Sequence, residues 1–136
     1  MQSYTSKNVR KNNINEIVGD ICVKSSKLKP IRANAKMYPS MPDEYPISFV
    51  IAALTPGVHI FNGISELYNK ESSRAYQIKK ILNQIGIKCK LSRDKMKVFG
   101  SKNIKITNRT IKVNNLLDHR ICMASICLSL LTGIRS

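Results

Sequence analysis

Glu66-Leu67-Tyr68-Asn69-Lys70-Glu71-Ser72-Ser73-Arg74-Ala75-Tyr76-Gln77-Ile78-Lys79-Lys80-Ile81-Leu82-Asn83-Gln84-Ile85-Gly86 is the stretch whose reading decides the fold. Its second half reads as a helix, because Ala75, Ile78, Ile81, Leu82 and Ile85 recur at helical spacing and Gly86 supplies a C-terminal stop. Its first half carries the chemistry. Asn69 is a candidate cap, which would place Lys70, Glu71 and Arg74 in the first turn, beside backbone N–H groups that no carbonyl satisfies. Such a turn attracts an anion. The helix macrodipole favours acids at the start of a helix and bases at its end, and Lys70 and Arg74 run against that preference. For this helix taken alone, a solvated surface face is the plain alternative.

Working outward, Gly57-Val58-His59-Ile60-Phe61-Asn62-Gly63 reads as a strand bracketed by glycines that leads into this stretch. Before it, Tyr45 to Leu54 is apolar on nearly every side, so it is expected to be a buried helix. Tyr38 to Glu44 reads as the turn that starts it, with Ser40 as cap, Pro42 tolerating the missing donor, and Asp43 and Glu44 suiting the dipole. Earlier still, the β-branched alternation of Ile17 to Val23 suggests a strand, ended by Lys24 to Pro30. After Gly86, Ile87 to Leu91 and Lys95 to Phe99 alternate and are joined through Ser92-Arg93-Asp94, the pattern of an antiparallel hairpin. Residues 17–100 thus give strand, helix, strand, helix, hairpin, an α+β arrangement. The unit then restarts: Ile104-Lys105-Ile106 and Thr110 to Val113 are strand-like, and Asp118-His119-Arg120 opens another apolar helix ending near Gly133. Residues 1–15 are polar and basic and read as an arm or strand end.

With 136 residues, 43% of them hydrophobic, the chain is one domain or a piece of one, able to bury a core. A formal charge of +15 points toward nucleic acid or an acidic surface. The bases are scattered, however, the chain is skewed toward Lys, Asn and Ile as an AT-rich coding sequence would make it, and aromatic residues are only 6%. Nothing resembles the interleaved basic and aromatic surface of a nucleic-acid reader, so no nucleic-acid partner is expected and a basic non-enzymatic binder stands as the alternative. Cys22, Cys89, Cys122 and Cys127 form no C-x-x-C pair and have no partnering histidine spacing; they read as buried free thiols of a reducing compartment, with no metal and no cofactor. Met1 to Ser6 lacks the apolar run of a secretory signal, and Ile121 to Ile134 is too short to span a bilayer, so a cytoplasmic location without a membrane partner is expected.

Three helices are therefore expected to begin just after a strand or turn, each with ionisable residues at its start: Asp43; Lys70, Glu71 and Arg74; Asp118, His119 and Arg120. Helix starts on one side of a sheet can converge, and α/β ligands bind where such ends meet. A converged mouth would hold carboxylates able to move protons beside cations able to hold phosphate or carboxylate groups. The competing reading makes Asp43 and Asp118 simple first-turn or capping acids.

Pro42-Asp43-Glu44-Tyr45-Pro46, then Gly63-Ile64-Ser65-Glu66-Leu67-Tyr68-Asn69-Lys70-Glu71-Ser72-Ser73-Arg74, then Asp118-His119-Arg120-Ile121-Cys122-Met123-Ala124 resemble three successive signatures of the 5-enolpyruvylshikimate-3-phosphate (EPSP) synthase family, the 3-phosphoshikimate 1-carboxyvinyltransferases. Asp20 to Ile31 resembles the segment preceding them in bacterial members, and the resemblance runs from about residue 10 onward. It implies an enolpyruvyl transferase acting on phosphoenolpyruvate and the 5-hydroxyl of shikimate 3-phosphate, in aromatic amino-acid and chorismate biosynthesis. By the family pattern Asp43 takes the hydroxyl proton and Glu71 protonates the methylene carbon. Lys70 contacts the shikimate phosphate, Arg74 and Arg120 clamp the phosphoenolpyruvate anions, and His119 lies beside that clamp with either a direct or a structural part. Transfer of enolpyruvate to a UDP-sugar uses a related fold, but Lys70-Glu71 and Asp118-His119-Arg120 favour the shikimate branch.

The sequence also departs from the pattern: Tyr68 and Asn69 stand where the family has Arg followed by Val, and Ser73 replaces an Asp, which would loosen Arg74. Family members are much longer, with two domains that close over the substrates, each built from βαβαββ repeats. By that resemblance residues 16–100 are one repeat of the C-terminal domain and residues 101–136 the truncated start of the next. By the same resemblance the N-terminal substrate-binding motifs are expected to be missing from this chain. The chain is then expected to be inactive alone, and a separately encoded N-terminal synthase piece is a candidate partner.

Overall fold

The computed structural model of the protein describes residues 10–11, 17–18, 22–68, 73–104, 110–113 and 118–134. In chain order they form strands β1 (Arg10–Lys11), β2 (Ile17–Val18) and β3 (Arg32–Ala33), 3-10 turns at Ala35–Ser40 and Pro42–Glu44, and helix α1 (Tyr45–Leu54). Strand β4 (Gly57–Asn62), the helical turn α2 (Ser65–Tyr68), helix α3 (Arg74–Gln84), strands β5 (Cys89–Ser92) and β6 (Lys95–Gly100), and helix α4 (His119–Thr132) follow.

The expected α+β character is what the structure has. Four strands form a mixed sheet in the order β3-β4-β6-β5, with β3 parallel to β4 and the other two pairings antiparallel. Register aligns two inward rows. Ala33 pairs with Phe61, Phe61 with Met96 and Met96 with Leu91, while His59 pairs with Val98 and Val98 with Cys89. Because side chains alternate across a strand, that register turns Phe61, Met96, Val98 and Cys89 into the core and leaves Lys90, Lys95 and Ser92 outside. Helices α1, α3 and α4 pack against one another, and α1 also lies on β6. One of the contacts is unusually close. A Cβ on Gly100 would run into the backbone carbonyl oxygens of Ala52 and Thr55, so only glycine lets the end of α1 rest directly on the sheet.

The core beneath the later site is aromatic. Tyr45 meets Tyr38, Phe49 and Phe61 edge-on at 5.3–5.9 Å, and Phe49 meets Phe61 at 4.7 Å. Each such pair adds about 0.5–1.5 kcal/mol beyond its buried area. This stack ties residues 38–49 to β4 and so fixes where Asp43 stands. Gly63 has φ 76°, and a Cβ there would lie 2.7 Å from that of Ala35; it permits the 3-10 turn to close over the end of β4. His59 is fully buried. Its Nδ1 accepts from Ile31 N at 3.0 Å and its Nε2 faces Thr55 O at 2.8 Å, a pattern that fits a neutral ring protonated at Nε2. One imidazole thereby joins β4, the approach to β3 and the end of α1.

Several local expectations are corrected. Ile17–Val18 pairs antiparallel with Arg10–Lys11, but residues 22–30 carry no regular structure, and the short β3 takes the parallel edge beside β4 instead. Ser40 does not cap α1: it closes the preceding 3-10 turn, and α1 is entered through Pro42–Glu44 without a side-chain cap. Residues 105–109 lie outside the described segments, and around them Ile104 and residues 111–113 form no strand while Thr110 makes only an isolated bridge. Cys89 is buried, and burial pushes its thiol up to about 12, whereas Cys22 is exposed rather than buried. Among the described residues no helix is long and apolar enough to cross a membrane.

Candidate functional site

Helix α3 begins at Arg74, later than the sequence suggested. Ser73 is its cap: the hydroxyl accepts from Tyr76 N at 3.2 Å and donates to Leu67 O. Residues 69–72 lie outside the described segments, so the placement of Asn69, Lys70 and Glu71 is not part of this geometry. Ser73 performs the cap that an aspartate would also perform there. Arg74 is therefore the first helical residue, and its side chain leaves the helix start toward α1 and α4.

Helix α4 begins as expected. Asp118 is extended, its Oδ1 accepts from Arg120 N at 3.1 Å, and Gly133 ends the helix in the left-handed conformation at φ 71°. The same carboxylate does a second thing. Its Oδ2 accepts from Arg74 Nε at 2.7 Å. Asp43, just before α1, uses its Oδ1 for Arg74 Nη1 at 3.0 Å and its Oδ2 for Arg120 Nη2 at 2.6 Å. The three helix starts therefore meet in a chain of two guanidiniums and two carboxylates, Asp118–Arg74–Asp43–Arg120, whose ends are linked only by the backbone N–H of Arg120 to Asp118. Asp43 and Asp118 are more than isolated first-turn acids.

The two acids differ in exposure. The side chain of Asp43 is 40% exposed and that of Asp118 only 14%. For Asp118, burial is the largest influence and works against its charge. The Arg74 hydrogen bond and charge, with the N–H groups of Arg120 and Ile121, outweigh it and hold the carboxyl below its ordinary range. Arg74 is held charged first by the bond to Asp118, against burial, and then by Asp43. Tyr38 is buried, and the exposed Glu66 lies near enough for its charge to act on the phenol. Burial first, and Glu66 second, push the phenol above its usual range.

Of the residues singled out from sequence, Asp43, Arg74 and Arg120 come together. His119 is exposed, and among the described residues no hydrogen bond or ion pair joins its ring to the cluster. Sequence reasoning passed over Tyr38 and Glu66, and placed Asp118 only among the carboxylates of a converged mouth or as a cap, with no partner named for it. The aspartate immediately before His119-Arg120 was the available signal, since a cap carboxylate keeps one oxygen free for a second donor. The loss of an acid at position 73 does not leave Arg74 loose, because Asp118 and Asp43 hold it. Among the described residues no group of three or more His, Cys, Asp or Glu side chains is arranged to hold a metal.

This fold and this cluster define an α+β module that brings cations and carboxylates together at converging helix starts, the place where α/β proteins meet anionic ligands. Residues 7–134 match the family model of EPSP synthase (3-phosphoshikimate 1-carboxyvinyltransferase). The chain is 36% identical over 122 residues to the 3-phosphoshikimate 1-carboxyvinyltransferase of Clostridium tetani, covering 89% of this chain and 27% of that protein. It is 40% identical over 116 residues to the enzyme of that name from Chelativorans sp., covering 85% and 25%. An EPSP synthase structure from Acinetobacter baumannii superposes with a TM-score of 0.74 at 29% identity, over 92% of this chain and 28% of that one. The chain belongs to the EPSP synthase family. It spans about a quarter of the length of the curated relatives it matches.

Proposed function

We propose that this chain is a part of the C-terminal domain of a 3-phosphoshikimate 1-carboxyvinyltransferase, contributing one wall of the site where phosphoenolpyruvate and shikimate 3-phosphate react. The observation that carries the reading is Asp43 bonded to both Arg74 and Arg120 across three helix starts. Two guanidinium forks facing one carboxylate are a ready receptor for the phosphate and carboxylate of phosphoenolpyruvate. In this reading Arg74 and Arg120 hold those anions and Asp43 takes the proton of the 5-hydroxyl. Glu71 delivers a proton to the methylene carbon, Lys70 contacts the shikimate phosphate, and His119 stands beside the clamp. The enolpyruvyl group moves to the 5-oxygen and inorganic phosphate leaves. Residues 16–100 form one βαβαββ repeat and residues 101–136 the start of another, and the site of action is cytoplasmic.

One wall does not make a cleft. Aligning two anionic substrates and keeping water from them requires an opposing surface. The outer side of α4 supports the need for more polypeptide, because Met123, Ile126, Leu130 and Leu131 are each more than half exposed. The chain is therefore inactive alone and works, if complemented, with a separately encoded N-terminal synthase piece. Phosphate release is measured for the purified chain, for an N-terminal synthase piece, and for the mixture. Turnover only in the mixture supports complementation, no turnover in any arm supports an inactive remnant, and turnover by the chain alone overturns the reading. The alternative, a basic nucleic-acid binder, predicts salt-sensitive retention on nucleic acid instead.

A further inference from the structure

The four-membered chain of charges is not symmetric. Asp43 reaches only the outer Nη atoms of Arg74 and Arg120 and is well exposed, so an incoming phosphate or carboxylate can take its place. Asp118 is largely buried, grips Arg74 by Nε rather than by an outer nitrogen, and spends its other oxygen on the backbone N–H of Arg120. An anion that replaces Asp43 meets Nη1 of Arg74 while Asp118 still holds Nε. Engaging Nε fixes the plane of the guanidinium, because rotation about the last carbon–nitrogen bonds would break that bond. Capping Arg120 N fixes where α4 begins, and with it the origin of the Arg120 side chain.

We infer that Asp118 is a positioning residue: a single carboxylate that aims both arginines at a shared phosphate or carboxylate ligand and stays in place when Asp43 is displaced. The inference rests on the functional reading above and extends it to a residue outside the roles proposed there. It also sets two effects of opposite sign against each other. Removing a negative charge from beside two arginines strengthens anion binding by simple electrostatics, whereas removing an aiming contact weakens it.

Asp118→Asn separates them, since asparagine is nearly isosteric and an equally good cap but cannot pair with the guanidinium. Phosphoenolpyruvate, and inorganic phosphate separately, are titrated into the full chain and into the variant by calorimetry. In parallel the Nε–H resonance of Arg74 is followed by nitrogen-15 NMR without ligand and assigned with Arg74→Lys. The expected result is unchanged helix content, loss of the protected Nε–H signal, and about tenfold weaker binding of either anion, the scale of one charge-assisted hydrogen bond. Adding Asp118→Asn to Arg74→Lys produces at most a small further loss, because the group being aimed has gone. Equal or tighter anion binding by Asp118→Asn overturns the inference, and so does an Arg74 Nε–H signal that survives the substitution. If the unmodified chain binds neither anion, the functional reading fails, while the Nε–H signal still decides whether Asp118 holds Arg74.

Discussion

Asp43→Asn should make this chain a better anion binder. Asp43 engages both arginines, at 3.0 Å to Arg74 and 2.6 Å to Arg120, so a phosphate or carboxylate must compete with that carboxylate for them. The side chains of Asp43, Arg74 and Arg120 are 40%, 28% and 34% exposed, which places these pairs near the solvent-screened limit rather than the buried one. Each is then worth about 0.2–1 kcal/mol, and the two together about 1 kcal/mol. Removing that competition tightens phosphoenolpyruvate or inorganic phosphate by about fivefold, since 1.4 kcal/mol is a factor of ten. The formal charge of the four side chains Asp43, Asp118, Arg74 and Arg120 also moves from zero (two acids, two bases) to +1 (one acid, two bases). Calorimetric titration at low ionic strength reads the change, and repeating it at high salt should shrink the gain as screening grows. Unaltered or weaker affinity in a variant that melts like the unmodified chain would mean that Asp43 does not occupy the anion's place, and the half-site argument would fall with it.

Asp118 gives a pH prediction of definite sign. Its carboxyl is held below the ordinary range in the fold, so its stabilising contribution is present above the unfolded value of about 4 and is lost as pH falls through the lower folded value. The melting temperature should therefore decline on acidification below that point, and decline less in Asp118→Asn, as scanning calorimetry would show; an identical acid limb in both proteins refutes it. Gly100→Ala pushes a methyl group into the carbonyl oxygens of Ala52 and Thr55, which can yield only by lifting α1 from the sheet. A loss of about 1–3 kcal/mol or more in urea unfolding is expected, and a change below about 0.5 kcal/mol would show that the contact is not as close as described.

The charge chain matters because it couples helices that are distant in sequence. Arg74 and Asp43 are 31 positions apart, and Arg74 and Asp118 are 44. Helix α1 is held by the Tyr38, Tyr45, Phe49 and Phe61 stack and by the backbone approach at Gly100; α3 and α4 lean on it. Disturbing any of these supports displaces a charged partner. The positions of Arg74, Arg120 and their two carboxylates thus depend on the apolar packing of the helices and sheet that carry them.

Local signals carried much of the architecture. The apolar run of Tyr45 to Leu54 fixed α1, the alternation on both sides of Asp94 fixed the hairpin, and Asp118 with Gly133 fixed the two ends of α4. Each of these depends on neighbours within a turn or a strand pair, where composition decides the outcome. The start of α3 was misjudged because Asn69 and Ser73 are both competent caps, and only the hydrogen bonds of Ser73 to Tyr76 and Leu67 select between them. Strand β3 is two residues long and has no period to detect; it exists because β4 offers it an open edge. Sequence by itself determined the types of α1, β4, α3, the β5–β6 hairpin and α4, and gathered Asp43, Arg74 and Arg120 as candidates. Tertiary structure alone decided that Asp118 grips Arg74 while Asp43 bridges both arginines, because the partner of a long flexible cation is set by how helices cross, and that follows from the packing of the whole core.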